Sequence, residues 1–281
     1  MKAVFVTGTA KGIGRAIALR IASEGHHVFA GVRRQQDADD LKAAGQGRIT
    51  PLLLDVTDEA AIARAAETIR ASSYAGVLAG VVNNAGVAVA GPLEFLPPSE
   101  VRRQLEINVV GQVAVTQAVL PMLRQSLGRI VFIGSIAGRS AMPMTGAYSA
   151  SKHALEAIAD AMRVELLPFG VGVSIVEPGV IATPIWETSI ATADRLLEKL
   201  PPQAMEYYGA VIEGAKKRAL GGMKGLPPER VADVVMHALF AKKPRTRYLV
   251  GRDARARVVL QLLPDRIRDR IIAARLASIS R

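Results

Sequence analysis

Two titratable side chains, Tyr148 and Lys152, lie four residues apart in the stretch YSASK, with only small or hydroxylated residues between them. On a helix, positions i and i+4 share one face, so the phenol and the ammonium can project into one site. A cation beside a phenol favours the phenolate and lowers its pKa from about 10, which would let Tyr148 exchange protons near neutral pH. For so short a motif, an exposed helix that carries both residues by chance remains the alternative.

The residues that follow predict the helix that this geometry needs. Apolar side chains recur near helical spacing from Leu155 to Leu166, and Pro168 and Gly170 then end the pattern. The sequence therefore predicts that the phenol and the ammonium lie on one helical face.

Composition narrows the class of protein. The 281 residues are half hydrophobic, enough for one large core, and the absence of Cys excludes disulfides and thiolate metal sites. The four His residues show no metal-ligand spacing, so no metal is expected. A predicted strand begins within three residues of Met1, which leaves no room for a signal peptide, and no uninterrupted apolar stretch reaches transmembrane length. We therefore expect a cytoplasmic protein.

Apolar runs alternate with helical patterns along most of the chain. Strands are predicted in AVFVTG, HHVFAGVRR, ITPLLLDVT, LAGVVNNAG, GRIVFIGS, VGVSIVEPG and RYLVG, with helices in GIGRAIALRIASEG, EAAIARAAETIRAS, VRRQLEINVVGQVAVTQAVLPMLRQS, the YSASK segment and PERVADVVMHALF. Strands separated by helix-length segments imply right-handed crossovers and a parallel sheet covered on both faces. The predicted fold is a doubly wound α/β sheet in a single domain.

One segment departs from the alternation. Residues 184–228 carry a Trp, several Met and Tyr, and several Pro and Gly, and they follow a strand end, where ligands bind in open α/β sheets. We interpret this segment as a substrate-covering insertion, with a mobile surface excursion as the alternative.

The positive charge is concentrated near the C-terminus. From Lys242 to Arg281, twelve Lys or Arg stand against three Asp, which makes +9 of the total net charge of +11. Such a patch could bind nucleic acid, an anionic membrane or an acidic partner, or it could be a solvated helix face. No aromatic interleaving or base-reading motif accompanies it, so nucleic acid is not expected as a partner.

A glycine-rich turn, TGTAKGIG, lies between the first predicted strand and helix. Glycines there allow close approach of a pyrophosphate, and the helix N-terminus offers it unpaired N–H groups. The spacing is G-x-x-x-G-x-G, which differs from the strict dinucleotide fingerprint.

Together these segments resemble the short-chain dehydrogenase/reductase family. The motifs are TGTAKGIG, NNAG at 83–86, Asn108 in INVVG, Ser135 in FIGS, YSASK, and EPG at 177–179, and they occur in the family's order over roughly residues 3–251. The resemblance implies a Rossmann-type domain over residues 1–251, followed by a basic amphipathic extension over 252–281. It also implies an NAD(P)-dependent oxidoreductase that acts on a hydroxyl or carbonyl group.

Four catalytic roles follow from the resemblance. Tyr148 would be the acid/base that exchanges a proton with the substrate oxygen. Lys152 would lower its pKa and bind the nicotinamide ribose. Ser135 would hydrogen-bond the substrate oxygen, and Asn108 would support a water relay that reaches Lys152.

The resemblance also implies a set of cofactor-binding residues. Residues 83–86 would line the cofactor cleft, Asp55 would contact the adenine, unless it is only a turn or capping residue, and Thr183 would reach the nicotinamide carboxamide. The full set is Gly8, Lys11, Gly12, Ile13, Gly14, Arg33, Asp55, Val56, Asn84, Ala85, Gly86, Tyr148, Lys152, Pro178, Gly179 and Thr183.

Charge at the end of the second strand indicates the cofactor. An acid at this place would bind the ribose of NAD, whereas a basic residue suits the 2′-phosphate of NADP. The chain offers Arg33 and Arg34 there and no acid before Asp37, and Lys11 could reach the same phosphate. We expect NADP(H) as the preferred cofactor, with Lys11 and Arg33 as its readers and NAD(H) still possible; two solvated basic residues are the alternative.

The substrate is less determined. Met142, Pro143 and Met144 stand near the candidate catalytic residues, and Trp186 follows in the insertion; such side chains suit an apolar ligand or ordinary packing. The stretch RYLVGRDARARVVLQLLPDRI resembles the retinol and 17-beta-hydroxysteroid dehydrogenase branch, which favours a lipophilic ketone, aldehyde or secondary alcohol. A polar or acyl-carrier substrate is the alternative, and a non-catalytic dinucleotide-responsive protein is the alternative of another class.

The remaining expectations concern partners. The stretch VVLQLLPDRIRDRIIAARLASI is compatible with an amphipathic helix on a membrane surface or over the substrate cleft, although a helix packed on the domain is more common. Members of the family commonly pair through the two long helices that correspond to residues 101–126 and 148–167, so we expect a homo-oligomer, with a dimer as the simplest form.

Overall fold

The computed structural model describes the backbone of residues 1–279 and the side chains of residues 1–274. The strands are β1 (Ala3–Val6), β2 (His27–Val32), β3 (Ile49–Leu53), β4 (Leu78–Asn83), β5 (Arg129–Ile133), β6 (Gly172–Pro178) and β7 (Arg247–Val250). The helices are α1 (Gly12–Ser23), α2 (Gln35–Ala44), α3 (Glu59–Ala71), α4 (Pro98–Leu105), α5 (Gly111–Ser126), α6 (Gly146–Glu165), α7 (Ile185–Leu197), α8 (Gln203–Gly222), α9 (Glu229–Phe240), α10 (Arg252–Leu260) and α11 (Asp265–Ile279).

The strands form one sheet of seven in the order β3-β2-β1-β4-β5-β6-β7, and every pair is parallel. This confirms the predicted doubly wound Rossmann-type sheet in a single domain. The strand order reverses beside β1, which pairs with β2 on one side and β4 on the other. Ligands of such sheets bind outside the carboxyl ends of the strands at this point.

Each face of the sheet has its own hydrophobic core. One core joins the sheet to α1, α2 and α9, and the other joins it to α3, α5 and α6. Strands β1, β2, β4, β5 and β6 are buried on both faces, which explains why their sequences read as continuous apolar runs. Both cores hold the carboxyl ends of β1, β4, β5 and β6 in fixed relative positions.

Several elements differ from the sequence prediction. Helix α2 was not predicted, because only Ala38 and Leu41 are buried and the rest of its sequence is polar. The insertion folds into α7 and α8. The extension forms two helices, α10 and α11, separated around Pro264, instead of one amphipathic helix, and its residues Ser280 and Arg281 lie outside the described part of the chain.

The long helix predicted around residues 101–126 is interrupted. A π-helical turn over Glu106–Val110 joins α4 to α5 and contains the buried Asn108. Within the described residues, the run Pro98–Ser126 is the one helix whose length and composition would suffice to cross a membrane. Its buried side chains, such as Val115 and Leu123, belong to a core of the domain.

Candidate active site

The glycine-rich turn connects β1 to α1 and packs against the end of β4. Gly8 has a φ of 69°, and a Cβ there would lie 2.8 Å from the Cα of Ala85. A Cβ on Gly14 would lie 2.2 Å from the carbonyl oxygen of Gly8. Only glycine fits either position, so the backbone can form a tight cradle.

The N-terminus of α1 is open at this cradle. No side chain caps it, and no acidic residue lies in its first turn. Its free N–H groups and positive dipole end suit an anionic ligand. These residues therefore fit the pyrophosphate of a dinucleotide cofactor.

Polar contacts fix the loop after β4 beside the glycine turn. The Thr7 hydroxyl accepts hydrogen bonds from the backbone N–H groups of Asn84 and Ala85, each at 3.0 Å. The Asn84 amide donates to the carbonyl oxygen of Thr7 at 2.9 Å and to that of Gly8 at 3.1 Å. Asn84, Ala85 and Gly8 thus form one rigid wall of the cleft.

Asn83 differs from the expectation that all of residues 83–86 line this cleft. Its side chain is fully buried and donates to the Thr116 hydroxyl on α5 at 2.7 Å. Gly86 is exposed, and a Cβ there would lie 3.2 Å from Asn108 Oδ1. The lining of the cleft therefore begins at Asn84.

Basic side chains surround the carboxyl end of β2. Arg33 is exposed, and among the described residues no carboxylate lies within ion-pair distance of it, whereas Arg34 is paired with Asp37 at 2.7 Å. The Arg34 hydrogen bond is the main cause that lowers the pKa of Asp37, and Lys11 and Arg33 add smaller contributions. The charges of Lys11 and Arg33 therefore both reach Asp37, and Lys11 Nζ also donates to the Thr188 hydroxyl at 3.4 Å.

Asp55 and Val56 follow β3. Asp55 Oδ1 accepts from the backbone N–H of Thr57 at 3.0 Å and from its hydroxyl at 2.8 Å. Burial raises the pKa of Asp55, but these hydrogen bonds and the Arg33 charge outweigh it, so the pKa is lowered. Val56 is buried, and Gly111 at the start of α5 packs against its carbonyl group.

The segment after β6 lies across the glycine turn. A Cβ on Gly12 would lie 3.3 Å from the Cβ of Thr183. Gly179 donates its N–H to Val250 at 2.8 Å, and a Cβ there would lie 2.2 Å from Asp253 Oδ2 on α10. Pro178 ends β6.

Ile13, on the first turn of α1, packs on the adjacent core.

Ser135, Tyr148 and Lys152 meet at the carboxyl end of β5. Ser135 lies close enough to Tyr148 for its side chain to lower the pKa of the phenol. Lys152 is buried and donates from Nζ to the carbonyl oxygen of Ile133 at 2.8 Å, and Nζ lies 5.8 Å from the centre of the Tyr148 ring. The structure thus brings the three predicted residues together.

Burial is the main cause of the pKa shifts of Tyr148 and Lys152. Burial raises the pKa of Tyr148, and the nearby Ser135 side chain and the Arg257 charge lower it by less. It also lowers the pKa of Lys152 to about 8, against the opposing charge of Glu156. The structure corrects the expectation that Lys152 brings the pKa of Tyr148 below its usual value, because desolvation is larger and the ammonium is directed at Ile133.

Asn108 links the loop after β4 to α6. Its Oδ1 accepts from the Val87 N–H at 2.8 Å, and its Nδ2 donates to the Val87 carbonyl at 2.9 Å and to the Ser151 hydroxyl at 3.1 Å. The π-helical turn directs this side chain inward. Asn108 therefore contacts the residue that precedes Lys152.

A buried charge network behind Lys152 was not predicted. Glu156 lies one turn after Lys152 on α6 and contacts Arg247 at 3.1 Å, and Arg247 also contacts Asp160 and the fully buried Glu177. Burial and then the Glu177 charge raise the pKa of Glu156 to about 7. The spacing of Lys152 and Glu156, four residues apart, was the signal that could have indicated it.

Helices α7 and α8 cover the other side of the cleft. Ser189 on α7 donates to the Ala88 carbonyl at 2.8 Å, and the Tyr208 hydroxyl on α8 donates to Glu94 at 2.6 Å. Lys216 pairs with Asp194 at 3.1 Å and joins the two helices. The insertion therefore packs against the segment that follows β4.

A family model described as "short chain dehydrogenase" matches residues 2–194 of the chain. The chain belongs to the short-chain dehydrogenase/reductase family, and it is an NAD(P)-dependent oxidoreductase that acts on CH–OH groups. This confirms the family and the class of enzyme expected from the sequence.

Curated relatives include members of the predicted branch. The chain is 37% identical over 277 residues to retinol dehydrogenase 5 of Mus musculus, covering 96% of this chain and 87% of the relative. It is 35% identical over 280 residues to 17-beta-hydroxysteroid dehydrogenase type 6 of Bos taurus, with coverage of 96% and 87%. It is 37% identical over 278 residues to the NADPH-dependent 3-dehydrocapnine reductase of Ornithobacterium rhinotracheale, with coverage of 96% of each.

Solved structures show the same fold. A short-chain dehydrogenase from Streptomyces avermitilis matches with a TM-score of 0.77 and 30% identity over 99% of this chain and 97% of its own. One from Burkholderia cenocepacia J2315, in complex with NADP, matches with a TM-score of 0.72 and 26% identity over 98% and 99%.

Proposed function

We propose that this protein is an NADP(H)-dependent oxidoreductase that interconverts a hydroxyl and a carbonyl group on a lipophilic substrate. The observation that carries the proposal is the convergence of Ser135, Tyr148 and Lys152 beside the uncapped, glycine-lined N-terminus of α1. A protein that only binds a dinucleotide has no need of this hydroxyl, phenol and ammonium together.

The protein has to manage one proton and orient the reactants. The nicotinamide supplies or accepts the hydride when the cofactor is bound. Tyr148 gives the proton to the carbonyl oxygen, and the burial that raises its pKa keeps the phenol protonated and ready to donate. Ser135 holds the same oxygen by a hydrogen bond. Lys152, whose charge is retained below about pH 8, binds the ribose.

Asn108 has a positioning role in this proposal. It fixes Ser151, whose hydroxyl also donates to the Tyr148 carbonyl at 2.7 Å, and so it holds the first turns of α6 in place. The same polar group can support a water relay that returns a proton to Lys152.

The proposed preference for NADP(H) rests on charge. The charges of Lys11 and Arg33 both reach Asp37, which follows β2 and is already paired with Arg34. A guanidinium and an ammonium suit a 2′-phosphate. The named NADPH-dependent relative and the NADP-bound neighbour support this choice, and NAD(H) remains a weaker alternative.

The proposed lipophilic substrate rests on exposed apolar side chains around the cleft. Leu93 is 63% exposed and lies against Gly146, two residues before Tyr148. Phe95 packs near the rings of Tyr207 and Tyr208 on α8, and Tyr207 is 62% exposed. The names of the retinol and hydroxysteroid relatives support this choice over a polar or acyl-carrier substrate.

We propose that the protein forms a homo-oligomer. We also propose that it is located in the cytoplasm. Large apolar side chains are exposed together near the ends of α5 and α6, at Leu127, Val164, Leu167 and Phe169. A second copy of the chain would cover them. Light scattering after gel filtration tests this: a dimer mass supports the assignment, and a monomer at all concentrations contradicts it.

The decisive experiment is a turnover assay. Loss of NADPH absorbance is followed with ketones and aldehydes that range from small and polar to steroid and retinoid, with NADH in parallel. Turnover biased to lipophilic members with NADPH supports the proposal. Equal rates with NADH contradict the cofactor assignment, and rates confined to polar compounds contradict the substrate assignment.

A further inference from the structure

The C-terminal helices hold the loop between β5 and α6 through one buried serine. Arg257 on α10 donates from Nη2 to the carbonyl oxygen of Ser140 and from Nε to its hydroxyl at 3.4 Å. Gln261, four residues later, donates to the same hydroxyl at 2.9 Å, and its Oε1 accepts from Arg268 on α11 at 3.2 Å. Ser140 is fully buried. Both side-chain and backbone oxygen atoms of this serine are therefore held from the C-terminal side.

Ser140 in turn fixes the turn that follows the candidate catalytic serine. Its backbone N–H donates at 3.0 Å to the carbonyl oxygen of Ile136, the first residue of the short helical turn Ile136–Gly138. The Ser135 hydroxyl caps this turn, because it accepts from the Ala137 N–H at 3.1 Å. The direction of the Ser135 side chain therefore depends on where the turn lies.

The same turn packs against the helix that carries the other two groups. A Cβ on Gly138 would lie 2.7 Å from the carbonyl oxygen of Lys152 on α6, so only glycine allows this approach. The turn is thus in contact both with Ser135 and with α6. A small shift of the turn would move the Ser135 hydroxyl relative to Tyr148, and misplacements of this kind cost catalytic rate.

Helix α10 is itself anchored near its first residue. Asp253 Oδ2 accepts from the Val180 N–H at 2.8 Å, and a Cβ on Gly179 would lie 2.2 Å from the same oxygen. Ala254 is fully buried. One end of the helix is thus tied to the segment after β6, and Arg257 extends from this anchored helix to the loop after β5.

We propose that Arg257 is a positioning residue of the active site, which holds Ser140 and so fixes the turn from which Ser135 reaches the substrate oxygen. The proposal rests on the proposed function and adds to it a residue outside the family motifs of the sequence. It makes the C-terminal extension a working part of the active site. Arg257 touches neither substrate nor cofactor in this role, so its effect has to pass through Ser135.

The first test is a double-mutant cycle in kcat. Arg257→Gln is expected to lower kcat by about ten- to a hundredfold, because the Ser135 hydroxyl is displaced, and to leave the KM for NADPH unchanged. Ser135→Ala is expected to lower kcat by about a hundred- to a thousandfold. In the Ser135→Ala background, Arg257→Gln should have little further effect, since no hydroxyl remains to be positioned.

Two further variants control for a general loss of folding. Arg255→Gln removes an exposed arginine from the same helix and is expected to keep the wild-type kcat. Ser140→Ala removes the hydroxyl that accepts from Arg257 and Gln261 and leaves the arginine in place. It is expected to lower kcat by less than Arg257→Gln, because the carbonyl contact remains, again with an unchanged KM for NADPH. Urea unfolding shows that each variant has the native fold.

A second readout does not need turnover. Amide hydrogen exchange, followed by mass spectrometry of peptides that cover residues 134–145, reports local opening of the turn. Exchange in this segment is expected to be faster in Arg257→Gln than in wild type and in Arg255→Gln. Peptides from α1 are expected to exchange equally in all three proteins.

The two readouts separate the two proposals. An unchanged kcat in Arg257→Gln, or a loss that multiplies with that of Ser135→Ala, would overturn the positioning role and leave the proposed function standing. Unchanged exchange in residues 134–145 would overturn the positioning role as well. Absence of turnover with every substrate, together with faster exchange in Arg257→Gln alone, would overturn the proposed function and support the hold of Arg257 on the turn after Ser135.

Discussion

The indole ring of Trp186 packs directly on the backbone of Gly222, so that α7 and α8 meet with no side chain between them at this point. A Cβ on Gly222 would lie 2.6 Å from the indole Cε2. Trp186 is also held by a hydrogen bond from its Nε1 to the Ile181 carbonyl at 2.7 Å. The position of the covering helices therefore depends on this glycine.

Gly222→Ala is expected to displace Trp186 and to destabilise the protein by about 1–3 kcal/mol, because the added methyl group overpacks a fixed ring. Gly221→Ala is the matched control, since a Cβ there meets nothing within 4 Å and alanine favours a helix by up to about 1 kcal/mol. Urea unfolding of both variants measures the difference. A Gly222→Ala variant as stable as Gly221→Ala would contradict the contact.

Tyr148→Phe removes the proton donor without changing the ring. Turnover is expected to fall by about a hundred- to ten-thousand-fold, which is the usual contribution of a general acid. Cofactor binding, followed by NADPH fluorescence, is expected to change little. A variant that keeps substantial turnover would show that another group donates the proton.

Arg33→Ala tests the choice of cofactor. The KM for NADPH is expected to rise by about tenfold, because one charge-assisted contact with the 2′-phosphate is lost, and the KM for NADH is expected to stay the same. Arg48→Ala is the control, since Arg48 is also exposed. Arg48 precedes β3 and so lies at the amino ends of the parallel strands, whereas Arg33 follows β2 at their carboxyl ends. Equal effects on both cofactors would contradict the role of Arg33.

Glu156→Gln tests the pH dependence of the site. The Glu156 charge raises the pKa of Lys152 from the value that burial alone would give, and that pKa is about 8 in the wild type. Neutralising Glu156 therefore lowers it, so the ammonium is lost at a lower pH. The alkaline limb of the pH–rate profile is expected to move to lower pH in Glu156→Gln.

The matched control for this prediction is Glu165→Gln, which changes an exposed residue at the end of the same helix. Stability gives an independent check. Because the pKa of Glu156 is raised to about 7, its contribution is present at pH below about 4.5 and is lost as pH rises through 7. The stability of the wild type relative to Glu156→Gln should therefore fall between these pH values, and an unchanged difference would contradict the burial of this carboxyl.

Comparing Asn108→Ala with Gln104→Ala distinguishes a role of Asn108 in holding the loop after β4 from a role in catalysis. Gln104 accepts from the Val89 N–H and donates to the Val87 carbonyl, each at 2.7 Å, so both residues support the same loop. Each variant is expected to lose about 1–3 kcal/mol of stability through unpaired buried groups. Only Asn108→Ala should also lower kcat strongly, because only Asn108 contacts Ser151. Equal losses of kcat would leave Asn108 with a role in the loop alone.

The sequence predicted the secondary structure best where buried side chains form long apolar runs or a clear helical spacing. The apolar runs of the buried strands predicted the parallel sheet, and the family motifs identified the residues that the structure brings together at the end of β5. Helix α2 was missed because two buried side chains leave too little periodicity. The contact of Arg257 on α10 with Ser140 was missed because no local spacing relates the two residues. The pKa direction of Tyr148 depended on burial, which a motif does not encode.

The contact between Arg257 and Ser140 joins residues 117 positions apart. During synthesis the N-terminal part of a domain emerges and begins to fold first. The nucleotide cradle, the phenol and the ammonium are therefore all translated before the arginine that holds the loop between β5 and α6. A nascent chain stalled before α10 should already hold a cofactor, yet the loop between β5 and α6 would lack the contact that fixes Ser140.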